Sequence, residues 1–201
     1  MKTVVIVGQK WFGAAVFETA RAAGLGVAAV CAPPGDRLAA AAEAASVPIV
    51  PVAELPSADL GVLAHAHVFV QAEVRGRMGH GFVGYHPSLL PRHRGRDAVR
   101  WTIHMREPIA GGSIYRVEDK VDAGPVLGAD WCHVRPGDDA AELWRRELAP
   151  MGLRLFGTLF AQFAAHPTLP AGTRQDETLA TWEPSFERAT LQARHVENVR
   201  R

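Results

Sequence analysis

Three observations predict an α/β fold on a mostly parallel sheet. Thr3–Val7 (TVVIV) is an unbroken, largely β-branched run, as expected of a strand buried on both faces. Short apolar runs then alternate with helical stretches through the first half of the chain, the order that βαβ units produce. Ala110–Val117 and Pro125–Val134, by contrast, flank the turn EDKVDAGP with no helix between them. The far side of the sheet should therefore be mixed.

Each element follows from local composition. Trp11–Ala23 is rich in alanine and apolar residues and stops at Gly24. Gly26–Cys31 reads as the second strand, broken by the Pro-Pro-Gly turn of CAPPGDR. Leu38–Ala45 is an alanine-rich helix, and Val47–Val52 reads as an edge strand because of Pro48 and Pro51. Leu60–Ala64 and Gly81–His86 are the next strands, with a polar helical segment between them. Asp97 is placed to N-cap a helix running to about Met105. Asp138 or Asp139 caps a long helix to about Ala165, with Leu143, Leu148, Leu153, Phe156 and Phe160 on its apolar side. From Pro167 the chain is polar and irregular, with isolated aromatics at Trp182 and Phe186. These features divide it into an α/β domain, residues 1–166, and an irregular C-terminal extension, 167–201.

The bulk numbers restrict the class. A chain of 201 residues suits one domain and buries enough surface to need no covalent staple. With 48% hydrophobic and 21% charged residues and a net charge of +1, nothing draws it globally to nucleic acid or membrane. Cys31 and Cys132 are too few for a disulfide framework and read as thiols in a reducing compartment. The first apolar run is too short for a signal core or a membrane span, so a cytoplasmic protein is expected.

Several motifs carry chemistry. Gly8-Gln-Lys-Trp-Phe-Gly13 turns the first strand into the first helix, yet matches neither the dinucleotide fingerprint nor the phosphate loop. It is either a structural turn or an anion or acceptor contact. His65 and His67 share one strand face, but no Cys or acidic residue completes a metal set at a recognisable spacing, so no metal is expected. Arg92, His93, Arg94, Arg96, Arg100 and Arg106 form the most basic stretch, which suits a small anionic ligand or a solvated loop. His86 stands at a strand end, where open sheets of this kind place ligands. Ser88-Leu-Leu-Pro91 follows it, and Val121-Asp-Ala-Gly-Pro125 comes 36 residues after His86. An imidazole and a carboxylate brought together by these two loops suit a reaction that passes through a tetrahedral oxyanion and moves a proton.

VGQKWFGAAV, YHPSLLPRHRG with the following AVRWTIH, and VDAGP together resemble the folate-dependent formyltransferase family. The likeness is nearest to the hydrolase domains of 10-formyltetrahydrofolate dehydrogenases and covers roughly the first 165 residues. It implies a Rossmann-like, mostly parallel twisted sheet with helices on both faces. It also implies 10-formyltetrahydrofolate as formyl donor, no metal, and a small-molecule folate as partner rather than nucleic acid or membrane; an oligomer is compatible with it. The family's Asn-His-Asp trio maps onto Gly84, His86 and Asp122, so the amide donor is absent here. The cleft would be shaped by Ser88 and Leu89 and lined by backbone near Val68 and Val70 and by the loop holding Glu118 and Lys120. Arg92, Arg94 or Arg96 would hold the folate's glutamate tail. The missing amide favours water as formyl acceptor and formate as product. The alternatives are N-formylation of a sugar or nucleotide amine, or a folate-binding module without turnover.

Overall fold

The computed structural model of this protein describes residues 1–186; the remainder of the C-terminal extension lies outside the described residues. Six strands form one sheet in the order β2-β1-β3-β4-β5-β6. Their spans are β1 Thr3–Gly8, β2 Gly26–Cys31, β3 Leu60–Ala64, β4 Phe82–His86, β5 Ile109–Arg116 and β6 Val126–His133. The first four run parallel, and β5 joins β4 antiparallel and is followed by antiparallel β6. The mixed edge expected from the helix-free turn is therefore present. The β5–β6 connection carries Asp122; it leaves β5 beside the amino end of β4, where the Val117 N–H donates to the Phe82 carbonyl, and folds back so that Asp122 reaches His86.

Alternation across the central strands supplies two cores. Val4, Ile6, Val62 and Val83 face α1 (Lys10–Ala22), α2 (Arg37–Ala44) and α6 (Ala149–Ala165), meeting Phe12, Phe17, Leu38, Phe156, Phe160 and Phe163. Val5, Val7 and Phe82 face the other way, onto Leu55, Val70, Met78 and Val74 of α3 (Ala72–Arg75). A third cluster joins Ala110 to Leu143 of α5 (Ala140–Leu143), to Leu148 and Met151, and to the flank of α4 (Ala98–His104). The continuous helical run Ala140–Ala165, which ends in α6, is long and apolar enough to cross a bilayer, but the α6 phenylalanines are packed in the core against the sheet.

Four expectations need correction. Residues 47–52 form no strand; Ile49 makes a single parallel bridge to Val30, since Pro48 and Pro51 have no N–H to extend a ladder. The segment between β3 and β4 is helical for only the four residues of α3. Asp97 holds the N-cap position of α4, but its side chain makes no cap bond to that helix. Its backbone is left-handed (φ 64°), and its carboxylate instead accepts from the Ser185 hydroxyl at 3.0 Å and the Phe186 N–H at 3.2 Å. The long C-terminal helix is capped by Asp139, which accepts from Glu142 N–H at 2.7 Å, but Trp144–Leu148 forms one π-helical turn. There the Tyr85 hydroxyl donates to the Leu148 carbonyl at 2.7 Å, tying the turn to the strand that carries His86.

Candidate active site

His86 is the last residue of β4 and is buried. Its Nε2 lies 2.6 Å from the His93 carbonyl. A carbonyl only accepts, so Nε2 carries the proton and Nδ1 is left toward Asp122. Asp122 Oδ2 stands 3.5 Å from that Nδ1. The two groups predicted to meet therefore do meet, at contact distance.

The sequence Val-Asp-Ala-Gly-Pro places Asp122 by backbone geometry as well as by contacts. Asp122 adopts φ 53°, a left-handed conformation that aspartate tolerates better than most residues. Gly124 is needed because a Cβ there would lie 1.9 Å from the Arg116 carbonyl oxygen. Both carboxylate oxygens of Asp122 are held: Oδ1 accepts from the Tyr115 hydroxyl at 2.5 Å, and Oδ2 from the Gly95 N–H at 2.7 Å. Tyr115 lies on β5 opposite Gly84. Burial, and then the neighbouring Asp122 carboxylate, hold its phenol well above the ordinary value of 10.0, so it is a protonated donor.

The predicted substrate residues separate into three groups. Glu118 and Lys120 line a cleft of about 580 Å³ with Arg75, Asp119, Ala123 and Arg174, next to Asp122. That volume falls within the range of small-molecule sites, roughly 300–1,000 Å³. Arg75 joins the two predicted segments: one guanidinium nitrogen donates to the Val70 carbonyl at 2.7 Å, and the other pairs with Asp119. Val68 is exposed nearby in sequence, whereas the Val70 side chain belongs to the core and offers only backbone. Ser88 and Leu89 serve the loop itself. Ser88 is buried and donates to the Arg92 carbonyl at 2.5 Å, while its own carbonyl accepts from Ser113 at 2.8 Å. Leu89 lies against Gly111 of β5.

The arginines behave differently from expectation. Arg92 pairs with Glu107. Arg94 is buried and donates to Gln175 and Glu177. These two side chains knit the structure together rather than wait for a ligand.

The C-terminal extension is the feature that sequence reasoning missed. Gln175 Nε2 donates to the carbonyls of Asp122 at 2.8 Å and Gly124 at 2.7 Å, while its Oε1 accepts from Arg94. Thr181 exchanges backbone bonds with the 91–94 segment: its carbonyl accepts from Arg94 N–H and its N–H donates to the Pro91 carbonyl. Glu183 Oε2 approaches buried His93 Nδ1 to 3.1 Å, close enough for an ion pair although the two do not align as a hydrogen bond. Glu107 Oε2 lies 3.0 Å from the other nitrogen of that ring. Trp182 covers Gly95, and Phe186 stacks on Trp101 with centroids 4.5 Å apart. Up to residue 186, the tail is thus a strap behind the loop that follows His86 and the loop that carries Asp122.

Two motifs find other uses. At the Gly8–Gly13 turn, the Lys10 N–H donates to both oxygens of Asp36 at 2.8 Å, so the chain's own carboxylate occupies the start of α1. His65 and His67 lie 5.3 Å apart between ring centroids, and burial followed by Lys10 keeps His65 below its ordinary value. Among the described residues no three His, Cys, Asp or Glu side chains gather as a metal set would require.

A family model described as formyl transferase matches residues 1–152. The chain belongs to the formyl transferase family. Among relatives, the mitochondrial 10-formyltetrahydrofolate dehydrogenase of Mus musculus is 34% identical over 201 residues, covering 90% of this chain and 22% of that protein. The cytosolic enzyme of Homo sapiens is 33% identical over 172 residues, 75% of this chain and 19% of its own. This chain therefore spans about a fifth of the length of those relatives. Among solved structures, glycinamide ribonucleotide transformylase 1 from Symbiobacterium toebii superposes with a TM-score of 0.74 at 21% identity, over 87% of this chain and 93% of its own. An N-formyltransferase from Helicobacter canadensis, solved with folinic acid and dTDP-3-aminofucose, gives 0.76 at 16% identity, over 90% and 70%. The formyltransferase fold expected from the motifs is the fold observed.

Proposed function

We propose that this protein cleaves the formyl group of 10-formyltetrahydrofolate with water as acceptor, releasing formate and tetrahydrofolate. One observation carries the reading: a buried imidazole at the carboxyl end of β4 and a buried carboxylate from the β5–β6 loop face each other across 3.5 Å, with the far ring nitrogen fixed by backbone. In its protonated form His86 donates from Nδ1 to the formyl oxygen as negative charge gathers there. Asp122 Oδ2 takes the proton of the water that attacks the formyl carbon. The bond from that carbon to N10 then breaks, N10 receives the proton, and formate departs. The cleft at Glu118, Lys120 and Arg75 accommodates the folate.

Water is favoured over a phosphorylated amine by two features. Gly84 supplies no amide donor for the formyl oxygen, and Asp36 sets a negative charge where a phosphate would approach the start of α1. The test is formate release from 10-formyltetrahydrofolate with no amine present, in wild type and His86→Ala. Formate that disappears with His86 supports the reading. Intact folate binding with no formate would overturn water as the acceptor.

A further inference from the structure

The absent amide at position 84 leaves no empty space. Gly84 pairs with Tyr115 across β4 and β5, and a Cβ on Gly84 would lie 3.1 Å from Cε1, 3.2 Å from the hydroxyl and 3.3 Å from Cζ of that tyrosine. The phenol ring therefore occupies the room that a side chain at 84 would enter. Its hydroxyl ends 2.5 Å from Asp122 Oδ1, in a buried setting that keeps it protonated.

We infer that Tyr115 and Gly84 act as a unit, in which Gly84 admits the phenol and Tyr115 is a positioning residue for the Asp122 carboxylate. Tyr115 saturates Oδ1 and so fixes the rotamer that turns Oδ2 toward His86. The groups facing the carboxylate are His86 from β4, Tyr115 from β5 and the Gly95 N–H from the intervening loop. Arg94 and Glu177 are linked to its backbone through Gln175. Tyr115 donates to the carboxylate itself, and its burial keeps the phenol neutral. The inference rests on the proposed hydrolysis for its catalytic meaning, but its structural content can be tested without turnover.

The experiment compares wild type, Tyr115→Phe and Gly84→Ala by two readouts, after circular dichroism has confirmed each fold. The first is the Asp122 χ1 rotamer, read by NMR from side-chain scalar couplings on aspartate-labelled protein. A hydrogen bond to a carboxylate is worth about 10–100-fold in an equilibrium, so Tyr115→Phe should convert one dominant rotamer into a mixture. Gly84→Ala keeps the hydroxyl but crowds the ring, and should redistribute the rotamers in the same direction by less. The second readout is formate release, where Tyr115→Phe should lower kcat about 10–100-fold with little change in KM. An Asp122 rotamer that is unchanged in both variants overturns the inference, whatever the rates. A redistributed rotamer in a protein that releases no formate keeps Tyr115 as the positioning residue and overturns the proposed hydrolysis instead.

Discussion

Gln175 offers the sharpest test of whether the tail holds the loops around His86 and Asp122. In Gln175→Ala, two bonds to the carbonyls of Asp122 and Gly124 are lost, together with the oxygen that accepts from Arg94 Nε and Nη2 at 3.0 and 2.8 Å. A neutral hydrogen bond contributes about 1 kcal/mol net and one to a charged group about 1.5–3 kcal/mol. Arg94 keeps Glu177, and water reaches the half-buried site, so the contributions do not simply add. The expected loss is about 2–4 kcal/mol, or about 5–15 °C in Tm for a domain of this size. Urea denaturation followed by linear extrapolation measures it. Gln175→Glu separates the two halves of the bridge: it still accepts from Arg94 but presents an acceptor-only carboxylate to two carbonyls. Both variants should reduce kcat for formate release. A Gln175→Glu protein as stable as wild type would show that the carbonyl bonds do not hold the Asp122 loop. A Gln175→Ala protein within about 0.5 kcal/mol of wild type, no more than an ordinary surface change, would refute the strap altogether.

Further outcomes follow from the same geometry. Burial pushes His93 down, but Glu183 and Glu107 outweigh it and hold the imidazole above its ordinary 6.5; burial pushes both carboxyls up, but His93 and Arg92 leave them below 4.5. The clamp is therefore lost as pH rises through the raised His93 value and again as pH falls through the lowered carboxyl values. Hydrogen exchange at the Arg94 and Thr181 amides, corrected for intrinsic rates, should show greatest protection between those limits, and flat protection would contradict the clamp. Asp122→Asn should abolish formate release while leaving the chain folded, because one amide oxygen cannot accept from both Tyr115 and Gly95; retained turnover would remove Asp122 from the mechanism. In Gly152→Ala, the new Cβ would lie 2.8 Å from both Phe12 Cζ and Tyr85 Cε1. Overpacking of this kind should cost about 1–3 kcal/mol, seen as a lower urea midpoint at unchanged slope.

The sheet was legible because its signal is repeated along the chain. TVVIV, LGVLA and the helix-free pairing of β5 with β6 each specify an element through burial period or turn composition. His86 and Asp122 were legible through the company of HPSLLP and VDAGP. Residues 47–52 misled, since apolar content outvoted two prolines that remove ladder donors. Asp97 misled because a capping residue and a loop carboxylate awaiting a distant partner look alike in sequence. Tyr115 reads as an ordinary strand aromatic until the register sets it opposite Gly84, and that register is a tertiary fact. The strap carries no periodicity at all. Its attachments are single polar side chains whose partners lie 51 to 88 positions away, beyond any local pattern.

That separation has a consequence for how the protein is made. Gln175 is translated 53 residues after Asp122 and 81 after Arg94. At about 5–20 residues per second, Asp122 precedes its fastening by about 3–10 s. A nascent chain can thus complete the sheet, and bring imidazole and carboxylate together, before the side chain that secures them has been synthesised. The His86–Asp122 pair is fastened after the sheet has been made, by a part of the chain that belongs to neither the sheet nor its helices.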